Sequence, residues 1–298
     1  LHQNQSKLFY LLATEAGKTL KDADAEVREA IDFVNYYVCE GEKAFSPRKL
    51  TGPTGENNYL SHEAKGNFLC ISPWNFPLAI FVGQITAALV AGNNVIAKPA
   101  EDTSIIAYEV IKIFHNAGIP KEALQLVIAD KEVSDELTKL NWLSGIAFTG
   151  SSEAAKKINL NLAMSEGPIK TFIAETGGLN AMFVDSSALK EQVIDDIVRS
   201  AFLSAGQRCS ALRVVYVQDD VADEYWDYLV EAMQELSQGN PINLDVDIGP
   251  IINKSSLEKL VAHSSSLKKK KFRFEELKTN KLGSGYYFNP IIFEINDI

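Results

Sequence analysis

The chain has 298 residues, 46% hydrophobic and 23% charged, ordinary values for a folded globular protein with material for a large core. Its formal net charge is −10, from 29 Lys and Arg against 39 Asp and Glu, which argues against a nucleic-acid surface because phosphate binding needs clustered cations. At this length two domains are the natural expectation.

Apolar positions recur at helical spacing over 6–20 and 22–39, among them Val27, Ala30, Ile31, Val34 and Val38, and predict two surface helices. Residues 41–65, rich in Gly, Pro and Asn, read as loop with room for a hairpin. From Phe68 the pattern alternates: strand 68–72, helix 78–91, strand 94–97, helix 103–116, strand 124–128, a short helix near 133–139, strand 145–148, helix 152–163 and strand 169–174. That alternation is the signature of an α/β fold with a doubly wound parallel sheet of Rossmann type. A second β/α set follows: strand 181–184, helix 189–205, strand 213–217, helix 220–236, helix 253–262 and a final strand 286–293. The expected boundary lies near Thr176, dividing 1–176 from 177–298. Because the chain begins with Leu1 rather than Met, it is expected to be a piece of something longer.

Gly66 to Ala97 holds no charged residue, but Pro73, Pro77, Gly83 and Gly92 interrupt it. Its continuous helical part, 78–91, is shorter than the ~20 residues of a membrane span, so the run reads as a buried β–α–β core. No cationic segment followed by an apolar run marks a signal peptide at the N-terminus. Three widely spaced cysteines, Cys39, Cys70 and Cys209, fit a reducing compartment, by default the cytoplasm. His2, His62, His115 and His263 form no metal-ligand spacing with cysteine or one another, and no metal site is expected. The basic run Lys268 to Lys271 reads as a solvated helix end or loop.

Chemistry concentrates first in Ala201 to Leu212, AFLSAGQRCSAL. Ser204, Ala205, Gly206, Ser210 and Ala211 leave room beside Cys209, and Gln207 and Arg208 put polar donors next to it. A thiol becomes a nucleophile as thiolate, which a nearby cation or oriented N–H groups favour. A buried core cysteine is the other reading, and on this segment alone both stand. Glu175, in IAETGGLNA, ends an apolar run and meets two glycines, so a carboxylate sits where the backbone turns and can approach a ligand. Asn75 lies between aromatics and prolines in SPWNFP, as an amide donor for an oxyanion or as a residue satisfying its own turn. Lys98 and Glu101 close the strand ending AKPAE, at the sheet edge where ligands bind in such folds or as a surface ion pair. Gly150 and Ser151 open a helix, as a phosphate site would or as an ordinary capped turn.

Taken in this order, SPWNFP, AKPAE, FTGSSEAA, ETGG and GQRCSA resemble the motifs of the aldehyde dehydrogenase superfamily. Within it the chain is most like the L-glutamate-γ-semialdehyde (Δ1-pyrroline-5-carboxylate) dehydrogenase part of the bifunctional bacterial proline-utilisation proteins. The resemblance implies Cys209 as nucleophile, Glu175 as general base and Asn75, with the Cys209 N–H, as oxyanion donors. NAD is the implied cofactor, held by Ile71, Ser72, Pro73, Trp74, Lys98, Pro99, Ala100, Glu101, Gly150, Ser151, Thr176 and Gly177. Glu101 on the adenosine ribose would repel the 2′-phosphate of NADP. Phe76, Arg208 and Ser210 are the implied substrate contacts; for Arg208 and Ser210, lowering the Cys209 pKa is the other role.

The family's G-S-x-x-x-G motif has Ala155 here in its last position. Implied partners are the aldehyde itself, an FAD-dependent proline dehydrogenase domain in the parent protein, and further copies in a homo-oligomer. Family members continue with an E-x-F-G-P segment, an anchor loop and an oligomerisation tail, none of which lies within these 298 residues, so the piece alone is expected to be inactive or weak. Another semialdehyde dehydrogenase of the superfamily, an acylating or phosphorylating semialdehyde reductase, and a folded but inactive domain stay open as alternatives.

Overall fold

The uncharged run after Gly66 forms the centre of a parallel sheet. The computed structural model describes residues 1–279 and 284–295. In chain order the elements are α1 (Gln5–Glu15), α2 (Leu20–Phe45), β1 (Arg48–Leu50), β2 (Asn58–Leu60), β3 (Asn67–Ile71), α3 (Ala79–Val90), β4 (Asn94–Lys98), α4 (Ser104–Asn116), β5 (Leu124–Leu126), α5 (Lys131–Thr138), β6 (Leu143–Gly150), α6 (Ser152–Met164) and β7 (Thr171–Thr176). There follow β8 (Asn180–Val184), α7 (Lys190–Phe202), β9 (Leu212–Val217), α8 (Ala222–Gln234), α9 (Lys254–Lys269), β10 (Phe274–Glu276) and β11 (Ile291–Phe293). Contacts divide the chain into two units: Leu1–Leu8 with Ala25–Thr176, and Phe9–Asp24 with Gly177–Ile298.

In the first unit five strands lie in the order β5-β4-β3-β6-β7, every neighbouring pair parallel. The chain moves outward from β3 to β4 and β5, then returns to the other side of β3 for β6 and β7. That reversal is a topological switch point, where the loops after β3 and β6 part and leave a crevice at the carboxyl edge. Crossovers between parallel strands need helices; α3 and α4 serve β3 to β5, and α6 joins β6 to β7. Burial on both faces explains the near-continuous apolar strands. Leu69, Ile71, Leu143, Ile146 and Phe148 pack against Ala155 and Ile158 of α6, and Phe81, Val82 and Ile85 of α3 are buried.

The second unit is built around the parallel pair β8 and β9, with α7 as their crossover. β10 and β11 form a separate antiparallel ribbon.

Several boundaries differ from the sequence expectation. α2 runs on to Phe45, and only part of 41–65 is loop, with β1 and β2 pairing as the antiparallel hairpin. The helix expected over 189–205 ends at Phe202, and Ser204 and Ala205 each take φ of 54° in the short turn that follows. α9 extends to Lys269, whereas the strand expected over 286–293 keeps only Ile291–Phe293. Phe9–Asp24 stand with the second unit rather than the first: Asp22 Oδ2 accepts from the Ser204 N–H at 3.1 Å, and Lys21 pairs with Asp247 at 3.1 Å. Residues 280–283 and 296–298 of the expected second domain lie outside the described residues. Within the basic run, Lys268 pairs with Glu276 at 2.6 Å and lies over the Phe274 ring. No described helix is long and apolar enough to cross a membrane.

One buried side chain ties this frame to the loop that carries Asn75. Glu26 of α2 is 1% exposed, and its Oε1 accepts from the N–H groups of Leu78 (2.8 Å) and Ala79 (3.2 Å). α3 has no acidic residue in its own first turn, so this carboxylate supplies the negative charge that its N-terminal dipole favours. It thereby fixes the chain directly after Pro77. Replacing Glu26 by Ala is expected to cost about 1.5–3 kcal/mol, the usual range for hydrogen bonds to a charged group; an unmoved urea midpoint would show that the cap contributes nothing.

Candidate active site

Parallel pairing brings the expected cofactor residues to one edge of the first unit. Ile71 stands opposite Lys98 on one side and Phe148 on the other, while Thr149 faces Glu175 and Gly150 faces Thr176. Three strand spacings separate β4 from β7, about 14 Å. Along that line lie Lys98, then Ile71 and Ser72, then Gly150 and Ser151, then Glu175 and Thr176. The Ser72 N–H donates to Lys98 O at 3.1 Å, continuing the β3–β4 pairing into the loop. Its hydroxyl is buried and has no partner among the described residues.

Across the switch point, Gln84 of α3 donates from Nε2 to Ile71 O (3.3 Å) and to Thr149 Oγ1 (3.0 Å). One amide therefore ties the ends of β3 and β6 together under the crevice. Pro73, Trp74, Asn75 and Phe76 follow as a half-buried loop. Asn75 Oδ1 is buried without a partner, and its side chain forms no hydrogen bond among the described residues. The amide is thus not consumed by its own turn.

Lys98 is 7% exposed, and burial lowers its pKa from the ordinary lysine value, opposed by the charges of Glu101 and Asp130. It makes no ion pair within 4 Å among the described residues, so the Lys98–Glu101 ion pair is not formed. Glu101 is exposed in the short turn after Pro99 and Ala100. Ser151 caps α6, its Oγ accepting from the Ala154 N–H at 3.2 Å. The hydroxyl proton and a second lone pair stay open to a ligand. Glu175, on edge strand β7, is exposed.

In the second unit Cys209 is exposed, which removes the core-cysteine reading. It lies in an irregular loop between the turn Leu203–Gly206 and β9, with Gly177 at the start of the same unit. Gln207 braces this loop: Nε2 donates to Ser204 O (3.1 Å) and Pro250 O (3.2 Å), and Oε1 accepts from the Ile252 N–H (2.9 Å). Arg208 donates from Nη2 to Arg199 O (2.6 Å) and Ser200 O (3.1 Å). That arm is spent on the last turn of α7, where a cation is favoured, rather than extended to a ligand. Arg213 Nη2 donates to Arg208 O at 3.2 Å, and Asn180 Nδ2 donates to Cys209 O at 2.7 Å. Among the described residues the N–H groups of Cys209 and Ser210 meet no acceptor, and Ser210 is exposed. A concavity between α7 and α8, lined by Lys190, Ile194, Tyr228 and Glu231, contains none of these residues.

The model of the aldehyde dehydrogenase family matches residues 1–297. The chain belongs to the aldehyde dehydrogenase family. It is 43% identical over 307 residues to the bifunctional protein PutA of Escherichia coli, covering 100% of this chain and 22% of that protein. To the 1-pyrroline-5-carboxylate dehydrogenase of Staphylococcus aureus it is 33% identical over 296 residues, covering 98% and 57%. Among solved structures, a mutant of Bradyrhizobium japonicum proline utilization A superposes with a TM-score of 0.94 at 47% identity, covering 99% of this chain and 30% of that one. The chain thus spans about a fifth to a third of the PutA relatives and just over half of the Staphylococcus dehydrogenase. NAD(P) is the cofactor general to the aldehyde dehydrogenase family.

Sequence reading missed Gln84, Asp130, Asn180 and the bracing role of Gln207. Gln84 and Asn180 share one signal, an amide beside a strand end, but their acceptors are mostly backbone carbonyls, which leave no trace in a sequence. Cysteine chemistry separates the three thiols of this aldehyde dehydrogenase family member. Cys39 and Cys209 are exposed, whereas burial pushes the Cys70 thiol up to about 12. Native alkylation at pH 8 is expected to label Cys39 and Cys209, with Cys70 reacting only after denaturation. Peptide mapping that found Cys70 labelled in the folded protein would contradict this assignment.

Proposed function

We propose that this chain carries the nucleophile, general base and cofactor edge of an NAD-dependent enzyme that oxidises L-glutamate γ-semialdehyde to L-glutamate, the second step of proline catabolism. The observation that carries the reading is an exposed Cys209 in a braced loop whose own N–H has no acceptor. Likeness to PutA and to 1-pyrroline-5-carboxylate dehydrogenase supports the substrate. The parent protein then pairs it with a proline dehydrogenase domain, in the cytoplasm.

Ser72, with its unpartnered buried hydroxyl, fits a polar ligand at the switch point, as do Lys98 and Ser151 at neighbouring strand ends. Ile71 to Trp74, Lys98 to Glu101, Gly150, Ser151, Thr176 and Gly177 hold the dinucleotide, with Lys98 and Glu101 on the adenosine ribose. When bound, NAD accepts a hydride from the substrate carbon.

Cys209 thiolate attacks the aldehyde carbon, forming a C–S bond while the carbonyl electron pair moves to oxygen. Asn75 Nδ2 and the Cys209 N–H receive that oxyanion; one such donor is worth about 2.7–4 kcal/mol in acyl transfer. Hydride loss leaves a thioester on Cys209. Glu175 takes one proton from water as the water oxygen attacks the thioester carbon, the C–S bond breaks to return Cys209 as thiolate, and the second proton passes to solvent as the product acid ionises to carboxylate. Phe76 walls the substrate pocket, and Ser210 offers its hydroxyl to the α-carboxylate. Arg208 supplies charge and anchors the loop to α7.

Three substitutions in the full-length parent protein test these roles. Cys209→Ala should abolish NADH formation and leave NAD affinity within about twofold, the change expected when a group acts only on the reacting carbon; substantial turnover by the purified variant would remove Cys209 from the chemistry. Glu175→Gln should keep a rapid NADH burst and slow the following steady state; loss of both together would place Glu175 elsewhere. Glu101→Gln should relax the preference for NAD over NADP, since like charges at close range cost several kcal/mol. An unchanged ratio of kcat/KM for the two cofactors would contradict its ribose position.

A further inference from the structure

Cys209 has no helix or strand of its own to hold it, so its geometry depends on what grips the loop. The approach is a sharp one: Ser204 and Ala205 at φ of 54° and Gly206 at φ of 67° turn the chain out of α7 in left-handed backbone, costly for the two residues that carry a Cβ. Beyond that turn, four carbonyl and amide groups decide which way the peptides face.

The side-chain amide of Asn180 donates to two carbonyl oxygens, Cys209 O at 2.7 Å and Ala211 O at 2.9 Å. Only the NH₂ end of an amide can serve two carbonyl acceptors, so the orientation of Asn180 follows from its partners. Its backbone explains how it reaches them. Asn180 pairs with Leu212 and Ala181 with Val214, so the register of β8 against β9 shifts between them. A bulge of this kind re-aims a side chain away from the regular pleat.

The consequence lies on the other side of the peptide. A trans peptide is planar, with its C=O and the next N–H pointing in opposite directions. Holding Cys209 O therefore aims the Ser210 N–H away from Asn180. One residue earlier, Arg208 O accepts from Ala211 N–H (3.2 Å) and Arg213 Nη2 (3.2 Å), which aims the Cys209 N–H in the same manner. Both N–H groups meet no acceptor among the described residues. Cys209 thus sits between two pinned peptides, and its Sγ keeps only rotation about its own Cα–Cβ bond.

We propose that Asn180 is a positioning residue for the nucleophile, its amide fixing the peptide that follows Cys209, while the Ala211 N–H and Arg213 fix the one before it, so that thiolate and N–H donors meet the aldehyde in one geometry. The proposal rests on Cys209 being the nucleophile. Asn180 touches no reacting atom; it acts through the Cys209 and Ala211 carbonyls.

The test uses the full-length parent protein with L-glutamate γ-semialdehyde and NAD, comparing wild type with Asn180→Asp, Asn180→Ala and Cys209→Ala. Asn180→Asp keeps the shape and turns the two donors into an acceptor facing two carbonyl oxygens; Asn180→Ala removes the group and serves if the first does not fold. Active sites are counted by iodoacetamide labelling read on the Cys209 peptide alone, since Cys39 is exposed as well; the labelling needs a thiolate but no oxyanion donor. The single-turnover rate of NADH formation is then expressed per labelled site. Both variants should lose roughly 10²-fold in that rate, the effect of a misplacement near 1 Å, while KM for NAD and the number of labelled sites stay within about twofold. A merely structural role predicts the reverse, fewer active sites and a lower melting temperature with the per-site rate unchanged, and that result overturns the proposal. Turnover persisting in Cys209→Ala would instead overturn the nucleophile assignment, so the two failures are told apart.

Discussion

In a parallel sheet every strand delivers the chain to the same edge, and the first unit depends on that constraint. Residues far apart in sequence, Ser72, Lys98, Gly150 and Glu175, become neighbours because each ends or directly follows a strand in one register. Burial of both faces forces the strands to be apolar, and so the polar residues collect at their ends. The reversal of strand order between β3 and β6 then opens a crevice in the middle of that row. Gln84 sets its floor by holding Ile71 O and Thr149 Oγ1 with one amide, and Glu26 fixes where the Asn75 loop enters α3.

The second unit solves a different problem. A proposed nucleophile must be reachable, and Cys209 is exposed, in an irregular loop with little packing to hold it. Hydrogen bonds from Asn180, Gln207, Arg208 and Arg213 replace that packing. The amide bonds contribute only about 0.5–1.5 kcal/mol net each and those from the charged arginines about 1.5–3, but all of them end on backbone carbonyls and so restrict rotation of the peptides themselves. Arg208, adjacent to the thiol in sequence, anchors the loop to α7 with its Nη2.

Much of this was legible in the sequence because periodicity and motif order are local properties. The charge-free run after Gly66 announced β3, α3 and β4, and the motifs around Asn75, Glu175 and Cys209 marked the family that the match over residues 1–297 establishes. What escaped depends on distant partners. Apolar and small residues continue past Phe202, so helix was expected to 205; Asp22 and Arg208 end it by taking up the Ser204 N–H and the carbonyls of the last turn. The helix expected over 253–262 runs on to Lys269, with Ser264 buried in it. β10 has two glutamates and, among the described residues, pairs with β11 alone, too short a signal to separate from loop. Nothing beside Asn180 in the sequence marks it, since its acceptors are backbone oxygens some thirty positions away.

The central claim is that oxidation passes through a covalent thioester on Cys209. Acid quenching of the full-length parent protein within milliseconds of mixing with aldehyde and NAD, followed by peptide mass spectrometry, tests it most directly. The account predicts an acyl adduct of the substrate's mass on the Cys209 peptide, accumulating in step with the first equivalent of NADH. NADH formed at the same rate with the Cys209 peptide unmodified at every time point would contradict it.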